Sequence, residues 1–443
     1  MQTCIRPSAR RILTHSRPCA GRTSGGLRLL HASIRRPKER PTSPRPDPFT
    51  FLTPHVSEFR EGLLELLGSG HPGLTEISRY YFLRPSKYLR PLLVFLFSQA
   101  TNGLGSQWSL KEWEARSGGE GSMENLNRAL SPGDVINDWN PIIPQHSAAF
   151  DPVFHPSPAR AHHVPLEPPH NLPSATPLLT ATPTILPTQM RLAHVLEMIH
   201  AASLLHDDVI DASPLRRGVA SAPEAFGNNL AVLGGNFVLG RASAALARLG
   251  DLEVVGLIAS IISNLVEGEI LQLKSQDPSD AWNLYLQKTY MKTASLMAKG
   301  ARAAVALGGC KEGEVWREVA YAYGRNLGIA FQLQDDILDY EVSDATLGKP
   351  GGADLQLGLA TGPALYAMEE YPEMGPLIAR KFENEGDVDL ARDLVKRSSG
   401  VERTRELALA YARAARDALQ PLPESEAKQA LEALTERVVK RTH

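Results

Sequence analysis

The sequence predicts an all-α protein, a single bundle of about ten or more helices. Apolar residues recur at three- and four-residue spacing, as in RLAHVLEMIHAASLLH, where Leu192, Val195, Leu196 and Ile199 form one stripe. The alternation that is typical of strands is scarce, and no repeat of fixed length is visible. Short segments rich in glycine, proline and aspartate separate the helical stretches and indicate turns.

Length and charge narrow the kinds of protein that this chain can be. Its 443 residues are 43% hydrophobic and 22% charged, with a formal net charge of −2. That near-neutral balance counts against a nucleic-acid binder held by overall electrostatics, so any anion binding must be local. With three cysteines in all, the chain offers neither a disulfide framework nor a cysteine-based metal site.

The first 46 residues differ in composition from the rest of the chain. They contain ten arginines and one lysine, scattered serines, and Glu39 as their one acidic residue. An arginine-rich, serine-containing and acid-poor segment is typical of a mitochondrial transit peptide, so we expect 1–46 to be one. The alternative is a disordered basic tail.

A segment unsuited to regular structure divides the predicted helical domain. Residues 101–140 are rich in glycine and serine, and 141–188 contain twelve prolines. Proline at this density excludes helix interiors and central strands, which predicts a mostly irregular insertion over 101–187. We therefore assign 47–100 and 188–443 to the all-α domain, with the insertion serving either as a docking loop or as a tolerated insert.

Beyond the helix that contains RLAHVLEMIHAASLLH, the apolar spacing predicts nine further helical segments. They are 229–249, 252–273, 281–307, 313–340, 355–369, 376–383, 387–397, 402–419 and 424–440. The most apolar window, LEVVGLIASIISNLV at 252–266, is too short to cross a bilayer and contains Glu253 and Asn264. We expect it to form a buried core helix.

Two groups of aspartates share one spacing. The first aspartate cluster is Asp207, Asp208 and Asp211 in LLHDDVID, and the second aspartate cluster is Asp335, Asp336 and Asp339 in QDDILD. Residues four apart stack on one face of a helix, where like charges destabilise it unless a cation offsets them. One such cluster is as often a solvated helix end, but two clusters of identical spacing favour Mg²⁺, which prefers oxygen ligands and commonly bridges carboxylates to phosphates.

Cationic and polar side chains accompany both clusters. Each cation alone is more often a surface charge, whereas together they predict a site for two polyanions. His200 lies two helical turns before Asp207 on the same face, and a lone helical histidine is as often structural as a ligand. The other candidates are Lys87 and Arg90 in PSKYLRP, Arg216 and Arg217 after the first cluster, Lys288, Lys292 and Thr293 in KTYMKT, and Lys349 after the second cluster.

With these residues assembled, the chain resembles the trans-prenyl diphosphate synthases, in particular the long-chain polyprenyl diphosphate synthases of quinone-tail biosynthesis. LLHDDVID with RRG is similar to the family's first aspartate-rich motif and FQLQDDILDY with GKP to its second. PSKYLRP resembles the GKxxRP segment, with Ser86 where glycine is usual, and YMKTASLMAKGA resembles the KT segment. The resemblance covers 49–100 and 188–443 and implies the isoprenoid-synthase bundle around a central cavity.

The resemblance also implies a role for each matching residue. Asp207, Asp208, Asp211, Asp335 and Asp339 would bind Mg²⁺, with Asp336 completing the second motif. Arg216, Lys292 and Lys349 would contact the allylic diphosphate. Lys87, Arg90, His200 and Arg217 would hold isopentenyl diphosphate. The oxygens of Thr293 and Gln332 would face the developing carbocation.

The expected reaction is the condensation of farnesyl or geranylgeranyl diphosphate with successive isopentenyl diphosphates, giving a hexaprenyl, solanesyl or decaprenyl-type diphosphate for the ubiquinone tail. Mg²⁺ would be the cofactor, with about three ions in a site that holds diphosphate. The resemblance implies a mitochondrial homodimer in the matrix and leaves open a heteromer and peripheral association with the inner membrane. We expect no nucleic-acid partner.

Two further positions bear on the product and on efficiency. Ala202 and Ser203 precede the first aspartate cluster where, in this family, bulky aromatics stop chain growth, so the small side chains predict a long product. The alternative is that alanine and serine simply pack well there. Asn229 and Asn236 stand where relatives usually have lysine and aspartate, and we expect activity to survive this change.

Two other functions compete with this one. Class I terpene cyclases share the all-α fold and a first DDxxD, but the second DDxxD and the Lys87/Arg90 pair count against cyclisation. A regulatory subunit of a heteromeric synthase would be expected to lack aspartate motifs, whereas both are present here.

Overall fold

Helices dominate the structure, a computed structural model that describes residues 46–69, 71–84, 86–119, 121–127, 168, 184–216, 218–273, 280–341 and 352–441. The first group of helices precedes the proline-rich segment. These helices are α1 (Pro48–Phe51), α2 (Thr53–Leu66), α3 (Pro72–Tyr80), α4 (Leu89–Thr101), α5 (Trp108–Arg116) and α6 (Met123–Asn127). The transit-peptide prediction lies almost entirely outside the described residues.

The second group of helices follows that segment and carries both aspartate clusters. Its helices are α7 (Pro187–Ile210), α8 (Ala222–Phe226), α9 (Asn228–Ala247), α10 (Leu252–Leu273), α11 (Ala281–Thr289), α12 (Ser295–Leu307), α13 (Val315–Glu341), α14 (Ala353–Gln356), α15 (Gly362–Glu370), α16 (Met374–Ala379), α17 (Asp387–Arg397), α18 (Gly400–Ala418) and α19 (Glu426–Val439). A π-helical turn, Tyr290–Ala294, joins α11 to α12. The all-α prediction is confirmed.

The strands within the described ranges form one small hairpin just after α7. Strands β1 (Leu215–Arg216) and β2 (Val219–Ala220) are antiparallel, with Leu215 opposite Ala220. This hairpin returns the chain toward α7, and it fixes the position of Arg216 beside the first aspartate cluster.

Helix α12 lies at the centre of the bundle and contacts α4, α7, α10 and α13. Close approach to α13 depends on glycine, because a Cβ at Gly324 would lie 2.7 Å from the Cα of Ala298. The main hydrophobic core gathers side chains from α2, α4, α7, α12 and α13 around this centre. Helices α7 and α13, which end in the two aspartate clusters, therefore flank the same central helix.

Two smaller hydrophobic cores support the ends of these two helices. Tyr81 packs with Ile77 and Leu205 near the end of α7. Tyr285 packs with Leu333 of α13 and with residues of α14 to α17. Each aspartate cluster thus lies where the main hydrophobic core meets one of the two smaller cores.

The ends of the predicted insertion are joined by hydrogen bonds. The side-chain amides of Asn102 and Gln189 bond to each other in both directions, at 2.9 and 2.8 Å, and Asn102 also donates to the carbonyl of Thr184. Asn102, at the end of α4, therefore lies beside Gln189, in the first turn of α7. Because α5 and α6 lie within 101–187, the first part of this segment is more regular than its composition predicts. Most of the proline-rich part lies outside the described residues.

Helix α10 differs from its prediction as a buried core helix. It extends to Leu273, beyond the apolar window, and 28% of its most apolar stretch is buried. Leu252, Val266 and Ile270 are more than half exposed. By length and composition α9 and α10 are the two helices in the described part of the chain that could cross a membrane, which is weak evidence for any span. The prediction is right for one face of the helix, because Val254, Ile258 and Ile261 are fully buried in the main core, and wrong for the opposite face.

Candidate active site

The first aspartate cluster lies at the end of α7. The backbone amide of Asp211 donates to the carbonyl of Asp207, so these two residues stand one helical turn apart on one face. Burial raises the pKa of the Asp207 carboxyl to about 6, and the Lys292 ammonium opposes that rise. Burial and the nearby Glu269 raise the pKa of Asp211. No described residue donates a hydrogen bond to either side chain, so both carboxylates are available to a cation.

Asp208, which the sequence assigned to the metal with its neighbours, has a different environment. Its side chain is fully buried. It accepts hydrogen bonds from the hydroxyl of Tyr81 and from Nε of Arg216 at 2.6 Å. Arg216, expected at a diphosphate, is thus held by Asp208 while it also lines the adjoining cleft. Two of the first cluster's aspartates face the site, and the third is directed toward protein donors.

In the second aspartate cluster each carboxylate has a protein donor. Asp335 accepts from Nη2 of Arg441 at 2.5 Å, and burial raises the pKa of this carboxyl to about 6. Asp339 accepts from the backbone amides of Ala353 and Asp354 at 3.1 and 3.2 Å, which caps α14. An ionised carboxylate has about four acceptor positions, so these contacts leave capacity for a further ligand.

Asp336 is the buried member of the second cluster. It accepts from the hydroxyl of Tyr285 at 2.5 Å and from Nε2 of Gln332 at 2.9 Å. The Oε1 atom of Gln332 in turn accepts from the hydroxyl of Thr293 at 2.8 Å. Thr293 and Gln332, both predicted at the reacting centre, are therefore linked to each other and to the second cluster.

Lys292 lies between these elements, in the π-helical turn. Its ammonium is 2.5 Å from a carboxylate oxygen of Glu269 and 3.1 Å from Oε1 of Gln272, both on α10. The stem of Lys292 crosses Gly268 so closely that a Cβ there would lie 2.8 Å from its Cγ. Single π-helical turns occur frequently at functional sites. Here the turn directs a cation toward the first aspartate cluster.

One turn earlier, Lys288 accompanies the second aspartate cluster. Burial lowers the pKa of its ammonium, while the carboxylates of Asp336 and Asp354 oppose that change. Burial, Asp336 and Asp339 raise the pKa of Asp354 to about 8. The same short segment therefore presents one lysine toward each aspartate cluster. Its two ammonium groups partly balance the negative charge of both clusters.

A cleft opens between the residues before α4 and the last turns of α7. Its polar lining includes Arg84, Ser86, His200 and Arg216. Lys87 is exposed beside the cleft, and Arg90 lies in the first turn of α4, where it opposes the rise in the pKa of Asp335 that burial causes. Glu197 is the acid in this lining, beside two arginines, so the cleft is cationic on balance, and Arg216 joins it to the first aspartate cluster.

Backbone strain occurs at the edge of this cleft. Tyr88, which lines it, precedes α4 with φ 45° and ψ 45°, in the left-handed region that favours glycine. Its hydroxyl donates to the carbonyl of Phe82 at 3.3 Å. Residues held in such conformations often belong to ligand sites, where the surrounding structure maintains them.

Other predicted residues are distributed as follows. Arg217 and Lys349 lie outside the described residues. Ala202 is completely buried in the main core, and Ser203 is half-buried one turn before Asp207, with its hydroxyl donating to the carbonyl of His200 at 2.9 Å. Asn229 and Asn236 are exposed on α9.

The donor set fits Mg²⁺. Carboxylate oxygens are the ligands this ion prefers, and it usually keeps several waters while binding one or two carboxylates and a phosphate. Within the described ranges no three His, Cys, Asp or Glu side chains are grouped closely enough to hold an ion by themselves. Burial raises the pKa of Asp207 and of Asp335, so a cation at either cluster would stabilise the ionised form.

Sequence reasoning missed several residues at this site. Glu269 and Gln272 hold Lys292, Tyr81 and Tyr285 hold the middle aspartates, and Arg84 lines the cleft. Tyrosines and glutamates are common in helices and carry no spacing signal of their own. GEILQL, with an acid and an amide three residues apart in an apolar helix, is the one local pattern that could have indicated Glu269.

Comparisons with known proteins give consistent results. A family model described as polyprenyl synthetase matches residues 174–395. A probable hexaprenyl pyrophosphate synthase, mitochondrial, of Neurospora crassa is 44% identical over 407 residues, 90% of this chain and 82% of that protein. Decaprenyl-diphosphate synthase subunit 1 of Schizosaccharomyces pombe is 38% identical over 393 residues, 87% of this chain and 89% of that protein.

Solved structures agree on the fold. A polyprenyl synthase from Caulobacter crescentus, complexed with calcium and isoprenyl diphosphate, is 25% identical to this chain. It superposes with a TM-score of 0.64 over 90% of this chain and 100% of that one. The architecture described above is therefore shared with a protein whose structure was solved in complex with calcium and isoprenyl diphosphate.

Proposed function

The chain belongs to the polyprenyl synthetase family, and from this premise we propose that it extends farnesyl or geranylgeranyl diphosphate with isopentenyl diphosphate in an Mg²⁺-dependent reaction. It is a prenyltransferase that makes a long-chain polyprenyl diphosphate. The finer proposal concerns the two substrates, the cofactor, the residues that act and the use of the product.

One observation carries this proposal. The two aspartate clusters lie on helices that flank α12, and two lysines of one segment accompany them. Lys292 and Lys288 reach toward the first and second cluster from a single segment. Two clusters with a separate cationic cleft suit two diphosphates, one bound through metal and one bound directly.

We assign the allylic diphosphate to the space between the clusters. Asp207, Asp211, Asp335 and Asp339 would hold it through Mg²⁺, and Lys292 would contact it directly. When bound, Mg²⁺ supplies positive charge that stabilises the leaving diphosphate. Asp208 and Asp336 then serve as anchors rather than ligands, because both are buried and bonded to protein donors. Arg216 and Lys349 complete this set as predicted contacts.

We assign isopentenyl diphosphate to the cationic cleft. Lys87, Arg90, His200 and Arg217 are its proposed contacts, and Arg84 adds a guanidinium that the sequence did not indicate. Clamping both substrates in register turns their encounter into an oriented, effectively unimolecular step.

The bonds then change in a simple order. The allylic C–O bond breaks with its electron pair leaving on the diphosphate, and the oxygen dipoles of Thr293 and Gln332 stabilise the positive charge that develops on carbon. The double bond of isopentenyl diphosphate attacks that carbon. Loss of one proton, which the released pyrophosphate can accept, restores a double bond in the lengthened chain.

Small side chains next to the first aspartate cluster favour a long product. Ser203 lies one turn below Asp207 on the same helical face, and Ala202 is enclosed in the main core. We propose that both positions leave room for the growing chain. The relatives described above are named for hexaprenyl and decaprenyl products. This difference agrees with a product length that is set by a few residues near the site.

An exposed apolar face supports a second copy as the partner. Leu233 on α9 is 57% exposed, and Leu252 on α10 is 89% exposed. Large exposed apolar side chains often mark an interface, and we propose that α9 and α10 form one between two copies. A heteromeric partner and a membrane surface are the alternatives that the same face would accept.

The relatives' names support a mitochondrial location. We propose that residues 1–46 direct import into the matrix and that the product becomes the ubiquinone tail. Fusing residues 1–46 to a fluorescent protein tests the first point, since a fusion that stays outside mitochondria would contradict it. We also propose that the insertion spans 101–187. The hydrogen bonds between the side chains of Asn102 and Gln189, near its two ends, support these bounds.

The deciding experiment incubates the purified protein with farnesyl diphosphate, labelled isopentenyl diphosphate and Mg²⁺, and sizes the product by chromatography. We expect a single long polyprenyl diphosphate and no product after chelation of the metal. A cyclic hydrocarbon from farnesyl diphosphate alone would favour a terpene cyclase. Activity that appears when a partner subunit is added, and not before, would favour a regulatory subunit.

A further inference from the structure

We propose that Tyr81 and Tyr285 are positioning residues, each of which orients one aspartate cluster by anchoring its middle aspartate. The inference rests on the proposed function, since it concerns the same site, and it adds two residues that no sequence motif includes. The two tyrosines come from different parts of the chain, yet they make the same contact with their clusters.

The first contact joins the residue after α3 to the end of α7. Tyr81 donates its hydroxyl hydrogen to Oδ2 of Asp208, whose side chain has no exposed surface. The same hydroxyl oxygen accepts from the backbone amide of Ala222 at 2.9 Å. Because the amide occupies the oxygen, the hydroxyl hydrogen is directed at the carboxylate. Arg216 supplies the balancing charge from the opposite side, with Nε 2.6 Å from Oδ1.

The second contact repeats this arrangement on α13. Tyr285 of α11 donates to Oδ2 of Asp336 at 2.5 Å, and Asp336 is 2% exposed. Its other oxygen accepts from Nε2 of Gln332 at 2.9 Å. Both middle aspartates are thus buried and bonded to two protein groups, one of which in each case is a tyrosine outside the aspartate's own helix.

Packing fixes each tyrosine before any ligand binds. The ring of Tyr81 belongs to the small core that also contains Ile77 and Leu205. The ring of Tyr285 belongs to the other small core, and it contacts Trp282 edge-on at 5.7 Å between ring centroids. Side chains held by such packing can hold others in place, which is what a precise site requires.

Helix geometry turns this anchoring into an orientation of the ligands. Neighbouring helical residues point about 100° apart, whereas residues four apart share a face. When Asp208 is held by Tyr81, Asp207 and Asp211 are turned together toward Lys292. When Asp336 is held by Tyr285, the same rule orients Asp335 and Asp339. Loss of either hydroxyl would free a buried carboxylate to rotate and would loosen the pair beside it.

The test compares Tyr81→Phe and Tyr285→Phe with Tyr323→Phe. Tyr323 is a matched control, because it is fully buried and donates to the carbonyl of Leu431 at 2.8 Å, away from both clusters. The probe is MgCl₂ with inorganic pyrophosphate, and binding to the full chain is measured by calorimetry. We expect about tenfold weaker binding in each of the two site variants and unchanged binding in the control.

Kinetics supply the second readout. With both prenyl substrates, the Mg²⁺ concentration for half-maximal rate should rise in the two variants, while Tyr323→Phe should retain the wild-type value. Unchanged pyrophosphate binding in both variants, or equal weakening in the control, would overturn the inference. If Tyr285→Phe does not fold, Tyr81→Phe decides the question alone.

These outcomes are separable from failure of the proposed function. A wild-type protein that binds magnesium pyrophosphate but makes no prenyl product would contradict the proposed function, and the binding comparison would still decide the role of the tyrosines. A wild-type protein that does not bind magnesium pyrophosphate would overturn both.

Discussion

The ammonium of Lys292 lies 2.5 Å from a carboxylate oxygen of Glu269, and this pair stands beside the first aspartate cluster. Gln272 provides the second acceptor at 3.1 Å. Glu269 is almost completely buried, and Lys292 is about one quarter exposed. Lys292 is therefore held by α10, and no described residue donates a hydrogen bond to the carboxylate of Asp207 or Asp211.

Replacing Glu269 with glutamine should impair the site. The amide cannot form an ion pair, so Lys292 would turn toward Asp207 and Asp211 and compete with Mg²⁺ for them. We expect kcat to fall about tenfold and the Mg²⁺ concentration for half-maximal rate to rise by a similar factor. Steady-state kinetics over a range of MgCl₂ concentrations measures both quantities. Glu267→Gln, the same change at an exposed position of α10, is the control, and equal behaviour of the two variants would refute the prediction.

Ser203→Phe should shorten the product. Ser203 shares a helical face with Asp207, so a phenyl ring there would extend into the space below the first aspartate cluster. Chromatography of the labelled product should give a shorter polyprenyl chain at a rate within about tenfold of wild type, since an inserted ring also strains its neighbours. Ser57→Phe, on the exposed face of α2, should leave chain length unchanged. An unaltered product from Ser203→Phe would show that another position limits growth.

Leu233→Asp should weaken association between copies. Leu233 is 57% exposed on α9, and a carboxylate buried at an interface opposes its formation. We expect the dissociation constant of the dimer to rise about tenfold or more, as measured by light scattering over a dilution series. Leu390, an equally apolar residue that is 43% exposed on α17, provides the control variant Leu390→Asp. If both variants associate like the wild type, the apolar face has another occupant.

Acid should destabilise the protein through His194. Burial lowers the pKa of this imidazole to about 3, and its Nε2 donates to the carbonyl of Phe59 at 2.9 Å. Below the ordinary value near 6.5 the unfolded chain gains a proton that the folded chain does not accept, so stability falls as the pH drops from 6.5 toward 3. Between pH 7.5 and 5 this group should remove about 2 kcal/mol from the free energy of unfolding.

The measurement is urea denaturation at several pH values. His194→Gln, which keeps a donor but does not titrate, should lose about 2 kcal/mol less than the wild type over that range. His71→Gln, a change at an exposed histidine, should behave like the wild type. Parallel curves for the wild type and His194→Gln would mean that His194 is not the titrating group.

Much of the secondary structure follows from local pattern. The predicted helices 252–273 and 387–397 coincide with α10 and α17, and 313–340 differs from α13 by a few residues. The prediction for 355–369 began too early, because residues 353–356 form a separate short helix capped by Asp339. Such a cap is a contact with a residue on another helix, and the apolar period carries no information about it.

The candidate site likewise combines features that follow from local sequence pattern with features that depend on contacts between helices. By itself the sequence determined the all-α class, the two aspartate clusters and the shared face of Asp207 and Asp211, because helical spacing depends on neighbours along the chain. Tertiary structure alone decided that Asp208 is bound by Tyr81, 127 positions away, and that Lys292 is held by Glu269. It also decided that one face of α10 is exposed. These contacts depend on how whole helices pack, and the pattern within any one helix is compatible with more than one packing partner.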